Sequence, residues 1–264
     1  RAAPRLECRT LHDDRSHVLV RLLLPLALLL PATVSPRPTP APADPTPIAV
    51  LDLGQLKKGL PKGWELKANE GKVDVVASPD EASNGRSWIC VRGEEDERAL
   101  ELYCRKGSFS INRDITGLEL DGHSVLEWEW KATALPEKAD MRKSKRNDQA
   151  LQVLVQLDTT AKRVISYVWD TSAPVGTKGS ESYAMGLYKV KVLCVQSGSE
   201  GLGEWHKLRR DLRADYKELY GSEKFPGVAG IRIQSNSQYT KSVASGAVRS
   251  LVFHPAEEAR AGER

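Results

Sequence analysis

Leu151-Gln-Val-Leu-Val-Gln-Leu-Asp158 decides how the rest of the chain is read. Leu151, Val153, Val155 and Leu157 fall on one side of an extended backbone and Gln152, Gln156 and Asp158 on the other, the period of two that marks a half-buried strand. Val125-Leu-Glu-Trp-Glu-Trp-Lys131 repeats the pattern, with Leu126, Trp128 and Trp130 set against Glu127 and Glu129. Stretches 164–169, 187–196, 228–235 and 248–253 follow the same rule, and turn-rich segments such as 172–180 and 197–203 separate them. One segment breaks the period. Asp211-Leu-Arg-Ala-Asp-Tyr-Lys-Glu-Leu-Tyr-Gly221 places Leu212, Tyr216 and Leu219 on one helical face, with Asp211 as N-cap and Gly221 as the stop. About ten strands and one short helix predict an all-β fold, an antiparallel two-sheet β-sandwich.

Composition agrees and narrows the class. The chain has 264 residues, 40% hydrophobic, 6% aromatic and 28% charged, with a formal charge of +4. That length supports a sizeable core, and the dispersed apolar content excludes a polytopic membrane protein. The 20 Gly and 15 Pro exclude a coiled coil, and four Cys are too few for a disulfide scaffold. No Met precedes Met141, so residues 1–17 read as lying upstream of a true start near Val18–Val20. Arg21 followed by the apolar run Leu22–Leu30 resembles a secretory signal, being too short to span a bilayer, with cleavage expected near Ala32–Ser35 or after Ala43. The expected organisation is an upstream extension plus signal peptide over 1–43, the end of a Pro-rich spacer over 44–47, a single sandwich domain over 48–255 and a polar tail over 256–264. Export to the periplasm or medium follows. Removing residues 1–43 takes six basic and three acidic residues from the 39 and 35, leaving 33 against 32 and a nearly neutral remainder. Cys8 lies upstream of the signal, and no Cys follows the apolar run to form a lipobox. A hairpin centred on Glu94–Glu97 sets Cys90 opposite Glu101 and Cys104 opposite Ser87, separating the sulfurs by about 10 Å, so free buried thiols are expected.

Several stations recur in a fixed order: Ser124-Val-Leu-Glu-Trp-Glu-Trp130, Arg146-Asn-Asp148, Ile165-Ser-Tyr-Val-Trp169, Gly203-Glu-Trp205, 210–221 and Val228-Ala-Gly-Ile-Arg-Ile-Gln-Ser235. With them the chain, from about Phe109 to Phe253, resembles a bacterial exported family known as domain of unknown function 3047. The resemblance implies a jelly-roll sandwich similar to carbohydrate-binding modules, and it implies no activity. Two departures stand out. The family has two acids before the strand near Ala150, where this chain has Asn147 and Asp148. Its acid-rich turn after Gln234 is replaced by Ser235-Asn-Ser-Gln-Tyr-Thr240, so a cation or polar-ligand site formed by those acids in relatives is weakened or lost here.

Glu127 and Glu129 share one strand face about 7 Å apart, a separation that overlaps glycosidase acid pairs, although alternating Glu and Trp reads first as a solvated face over a core. Trp128 and Trp130 read as core in preference to a sugar platform. No catalytic residue is assigned. Ligand-binding candidates are Asp148, Tyr167, Trp169, Asp170, Trp205, Arg209, Asn236 and Tyr239, with Tyr183 and Tyr188 near the same loops. Aromatic faces and polar groups at strand ends suit a glycan. The test of that site is whether Asp148, Asp170, Arg209 and Asn236 share one cleft.

His123, His206 and His254 are isolated, no metal site or cofactor is expected, and structural calcium has no loop signature to support it. No phosphate loop or nucleophile elbow occurs. Lys138–Arg146 carries five basic residues and one acid and reads as a solvated insertion. The expected partner is a glycan or cell-envelope polymer, with no nucleic acid and no transmembrane span; oligomeric state is left open. Non-catalytic binding is the first reading. The alternatives are a polysaccharide hydrolase or lyase using Glu127, Glu129, Asp148 or Asp170, and a structural envelope protein.

Overall fold

Alternation sorts the chain into strands almost from the first residue of the computed structural model, which describes residues 46–256 other than 158, 160 and 161. The expected extension, signal and Cys8, the spacer up to residue 45 and the polar tail beyond 256 lie outside the described residues. In chain order come β1 (Ile48–Ala49), β2 (Glu65–Glu70), β3 (Val73–Val75), β4 (Ser87–Arg92), β5 (Ala99–Arg105), β6 (Ser108–Asp114) and β7 (His123–Ala134). They are followed by β8 (Leu151–Leu157), β9 (Lys162–Asp170), β10 (Lys178–Tyr183), β11 (Tyr188–Ser197) and β12 (His206–Asp211). Helix α1 (Leu212–Tyr220), β13 (Val228–Asn236) and β14 (Val243–Pro255) complete the set.

The strands form two seven-stranded sheets. Sheet A has the order β12-β7-β14-β5-β4-β3, with β1 on β14, and sheet B has the order β10-β11-β9-β8-β13-β6-β2. The expected two-sheet sandwich with one short helix is what forms. Pairing is antiparallel except at β3–β4 and β9–β11, which are parallel. The second exception has a simple cause: after β9 the chain skips to the edge as β10 and turns back as β11 into the vacant place between them.

Parity then decides the core. Leu126, Trp128 and Trp130 of sheet A and Leu151, Val153, Val155, Tyr167 and Trp169 of sheet B meet in one buried cluster. Trp128 lies edge-on to Trp130 at 5.5 Å and packs on Tyr167 at 5.2 Å, while Trp130 meets Trp169 at 6.1 Å, so aromatic rings stitch the two sheets together. Gly246 of β14 lies against Leu151, where an added Cβ would come within 2.7 Å of its Cδ1, and this is why the sheets can close at that point.

The hairpin of β4 and β5 has the expected register, with Cys90 opposite Glu101. Cys90, Cys104 and Cys194 are buried and unbridged. Burial, then the Glu101 charge, pushes the Cys90 thiol up to about 12, and burial pushes Cys104 and Cys194 up to about 11.

Helix α1 forms where its caps predict. Asp211 Oδ1 accepts from the backbone N–H of Arg213 at 2.9 Å, and Gly221 closes the helix in the left-handed region at φ 68°. The buried Asp215 carboxylate accepts from the Tyr167 hydroxyl at 2.6 Å and from Arg210 Nε at 2.9 Å, tying the helix to both sheets. Among the described residues no helix is long and apolar enough to cross a membrane.

Candidate functional site: the outer face of sheet B

If Ile231, Ile233 and Val153 point into the core, their chain neighbours must point away from it. Adjacent strands then set the outward residues side by side. Across sheet B one rank runs Gly179, Val192, Ser166, Leu154, Arg232, Asn112 and Glu65. The rank beside it runs Cys194, Val168, Gln152, Gln234, Ser110 and Lys67, and the one on its other side Glu181, Val190, Val164, Gln156, Gly230 and Asp114. The face therefore has two halves. Leu154, Val164, Val168, Val190, Val192 and Cys194 form a second apolar cluster, against which Met141 packs. Gln152, Gln156, Gln234, Arg232, Asn112 and Ser110 form a polar half over β8, β13 and β6.

The polar half is only partly bonded to itself. Gln152 Nε2 donates to Gln149 Oε1 at 2.9 Å and to Asn236 Oδ1 at 2.8 Å. Asn112 Oδ1 accepts from Arg232 Nε at 2.5 Å and from Ser110 Oγ at 3.5 Å. The side chains of Gln156 and Gln234 have no hydrogen-bond partner among the described residues, and neither have the terminal amino groups of Arg232. Burial pulls the Arg232 guanidinium below its ordinary value, a shift that Tyr188 opposes. At the β10–β11 rim, Lys162 Nζ lies 5.2 Å from the centre of the Tyr188 ring. Glu181 accepts from the Asn147 amide and the Tyr183 hydroxyl. Burial raises the Glu181 carboxyl above its ordinary range, and the Asn147 hydrogen bond opposes that rise in part.

Five of the eight candidates from the sequence belong to the framework. Asp148 is fully buried and accepts from Asn236 Nδ2 at 3.1 Å, Tyr239 N at 3.2 Å and Thr240 N at 2.7 Å, which fastens the loop after β13. Asn236 also takes Gln149 N on its Oδ1 at 2.9 Å and gives its Nδ2 to Asn147 O at 3.1 Å. Asp170, equally buried, holds the backbone N–H groups of Met141, Ser172 and Ala173 at 2.9, 2.8 and 2.7 Å. Tyr167 and Trp169 share the inward parity of Ile165, and the Trp169 indole donates to Gly198 O at 3.1 Å. The remaining three are at the surface. Tyr239 is half exposed at a loop. Trp205 lies under Lys131 at 4.8 Å and Arg249 at 4.6 Å. Arg209 stands in β12 of sheet A, 3.4 Å from Glu127, beside a cleft of about 350 Å³ also lined by Val175, Lys178 and Glu218. With Asp148, Asp170 and Asn236 buried and Arg209 on the other sheet, the four do not wall an open cleft.

Sequence reading passed over Arg232, Gln234 and Asn112. A signal for them exists: Ile231-Arg-Ile-Gln234 puts a cation and an amide at outward positions between core residues, beside the outward Gln152 and Gln156 of β8.

Glu127 and Glu129 point outward on sheet A, as expected. Burial raises the Glu127 carboxyl, but Lys207 at 3.1 Å, with Arg209 and His254, outweighs it and holds the group below its usual range. Glu129 accepts from Arg249 Nε at 2.5 Å. A general acid needs the opposite, a carboxyl kept protonated near neutrality. The basic stretch Lys138–Arg146 is organised by its one acid: Asp140 accepts from Arg142 Nε at 2.7 Å and pairs with Lys143 at 3.2 Å, which keeps it well below the usual carboxylate range. Among the described residues no three His, Cys, Asp or Glu side chains gather as a metal site.

A family model described as Protein of unknown function (DUF3047) matches residues 89–252. No curated protein matches the sequence. Among solved structures, the chain is similar to a family 11 carbohydrate-binding module of Clostridium thermocellum at TM-score 0.40 and 6% identity, covering 81% of this chain and 97% of that one. It is similar to a family 12 xyloglucanase of Bacillus licheniformis at TM-score 0.42 and 10% identity, covering 80% and 100%. The xyloglucanase domain of a type three effector of Sinorhizobium fredii gives TM-score 0.39 at 11% identity, covering 75% and 92%. Likeness at this level does not bear on the site.

Proposed function

Because the chain belongs to the family described as Protein of unknown function (DUF3047), a description that assigns no activity, we propose its function from its own side chains: it binds a glycan on the outer face of sheet B without cleaving it. The observation that carries this reading is the set of neutral groups that both donate and accept, Gln156, Gln234 and Asn112, held side by side on one sheet over the buried Gln152 and Ser110, with the side chains of Gln156 and Gln234 unbonded among the described residues. Sugar hydroxyls are themselves donors and acceptors, so amides and hydroxyls complement them without an ion pair. Tyr188, half-buried at the rim beneath Lys162, bounds this face. Strands fix these groups better than loops would.

Glycan-array binding by the full chain, followed by titration of the best polymer, is the test. Replacing Gln156 and Gln234 together with Ala is expected to weaken binding roughly tenfold or more, about 1.4 kcal/mol, while the melting temperature holds. Absence of binding to every glycan, or equal binding by the double variant, overturns the proposal. Release of reducing ends from a polysaccharide by the purified chain would replace it with the hydrolase reading. Export remains part of the proposal on the strength of the Leu22–Leu30 run, and cell fractionation tests it.

A further inference from the structure

Arg232 is out of keeping with the surface around it. Its rank neighbours are Leu154 and Asn112, and its neighbours along β13 on the same face are Gly230 and Gln234, all of them neutral. Among the described residues, the carboxylates that share the face are engaged or remote. Glu65 stands in the same rank but two strands away, about 10 Å at strand spacing, beyond Asn112. Asp114 lies diagonally on β6, where its Oδ1 accepts from Thr116 N at 2.8 Å and Thr116 Oγ1 at 2.6 Å. Glu181 is at the far rim, on β10, bound by Asn147 and Tyr183. The other cations of this face, Lys162 and Lys67, are at its margins, the first above the Tyr188 ring. Arg232 Nε is fixed by Asn112, which orients the guanidinium and leaves its terminal amino groups without an acceptor among the described residues.

A partly desolvated cation without a counter-charge raises the free energy of the folded protein, and a fold keeps such a group at little gain unless a ligand supplies the charge. The planar guanidinium fork matches an oxyanion bidentately, whether carboxylate or sulfate, and an anion bound there displaces no existing ion pair. From this placement we infer that the glycan is acidic, its oxyanion paired with Arg232 while neighbouring hydroxyls meet Gln156 and Gln234. This rests on the glycan-binding reading and adds to it the charge class of the ligand.

The experiment compares the full chain on three polymers of similar length: a neutral β-glucan, a polyuronate and a sulfated polysaccharide, each titrated at two salt concentrations. The expected result is binding to a charged polymer at least tenfold tighter than to the neutral one, with the polyuronate and sulfated arms showing which oxyanion is used. Arg232→Gln should remove that preference, so that charged and neutral polymers bind within about twofold of one another, and Arg232→Lys should restore it only in part, since an ammonium lacks the fork. The melting temperature of Arg232→Gln should hold or rise, because no ion pair is lost. If Lys67→Gln weakens acidic-polymer binding as much as Arg232→Gln does, the attraction is general and the inference falls. Preference for the neutral polymer overturns the inference while sparing glycan binding. Failure to bind any of the three overturns the inference; failure on the wider array as well overturns both readings.

Discussion

The two outer faces of this sandwich are made by the same rule and have opposite chemistry. On sheet A, Glu127 is met by Lys207 and Arg209, Glu129 by Arg249 and Lys207, and Glu101 by Arg92. Its aromatic rings have partners too: Trp88 stacks on Tyr103 at 5.4 Å, and Trp205 lies beneath two cations. On sheet B the polar half carries the amides of Gln156 and Gln234 and one guanidinium with hydrogen-bonding capacity unused among the described residues. Alternation tells which residues face outward, but only the pairing across strands tells whether they are already satisfied. A saturated face presents a ligand with bonds to break, and an unsaturated one presents bonds to make.

That contrast can be broken most forcefully from beneath. Asp148 anchors the loop beside the polar half, so Asp148→Ala strands three donors and should cost about 3 kcal/mol, lowering the melting temperature by roughly 6–12 °C. A fall of less than about 2 °C would show that the loop does not depend on this carboxylate. A smaller effect sharpens the contrast by pH. The Glu181 carboxyl is raised in the fold, so its protonated form is favoured there, and stability is greatest below its ordinary value of 4.5 and declines as pH rises through the folded value. Glu181→Gln should therefore gain stability over the parent progressively above pH 4.5; a difference in melting temperature that stays constant between pH 4 and 8 would refute this. The smallest effect belongs to sheet A. Glu127→Gln should lower the melting temperature by less than about 2 °C, less still in high salt, and leave glycan binding unchanged. Loss of binding in that variant would move the site to the other face.

Much of the fold is legible in the residues because it is local. The period of two in Val125–Lys131 and Leu151–Leu157 places Trp128, Trp130 and Val153 in the core, the Asp211 and Gly221 caps bound α1, and the Glu94–Glu97 turn sets the Cys90–Glu101 register. The parallel β9–β11 pair is not legible, since it depends on where β10 lands, a choice that local period does not encode. The site is read poorly for a related reason. Asp148 and Asp170 precede or end strands and carry charge, which points equally to a ligand and to buried backbone N–H groups, and only the three-dimensional loop path shows the latter. Tyr167 and Trp169 share parity with Ile165, so their inward direction was available from spacing. Arg232 is visible as an outward cation, but its lack of a counter-charge among the described residues is a fact about four adjacent strands.

Three buried thiols with pKa values of about 11 and 12 also give the protein its own clock. At pH 7 a thiol of pKa 11 is ionised in about one molecule in ten thousand, and the buried sulfurs are closed to reagent as well. Cys90 and Cys104 sit in the β4–β5 hairpin of sheet A and Cys194 in β11 of sheet B, so alkylation under native conditions would time the opening of these two places separately, without any engineered label.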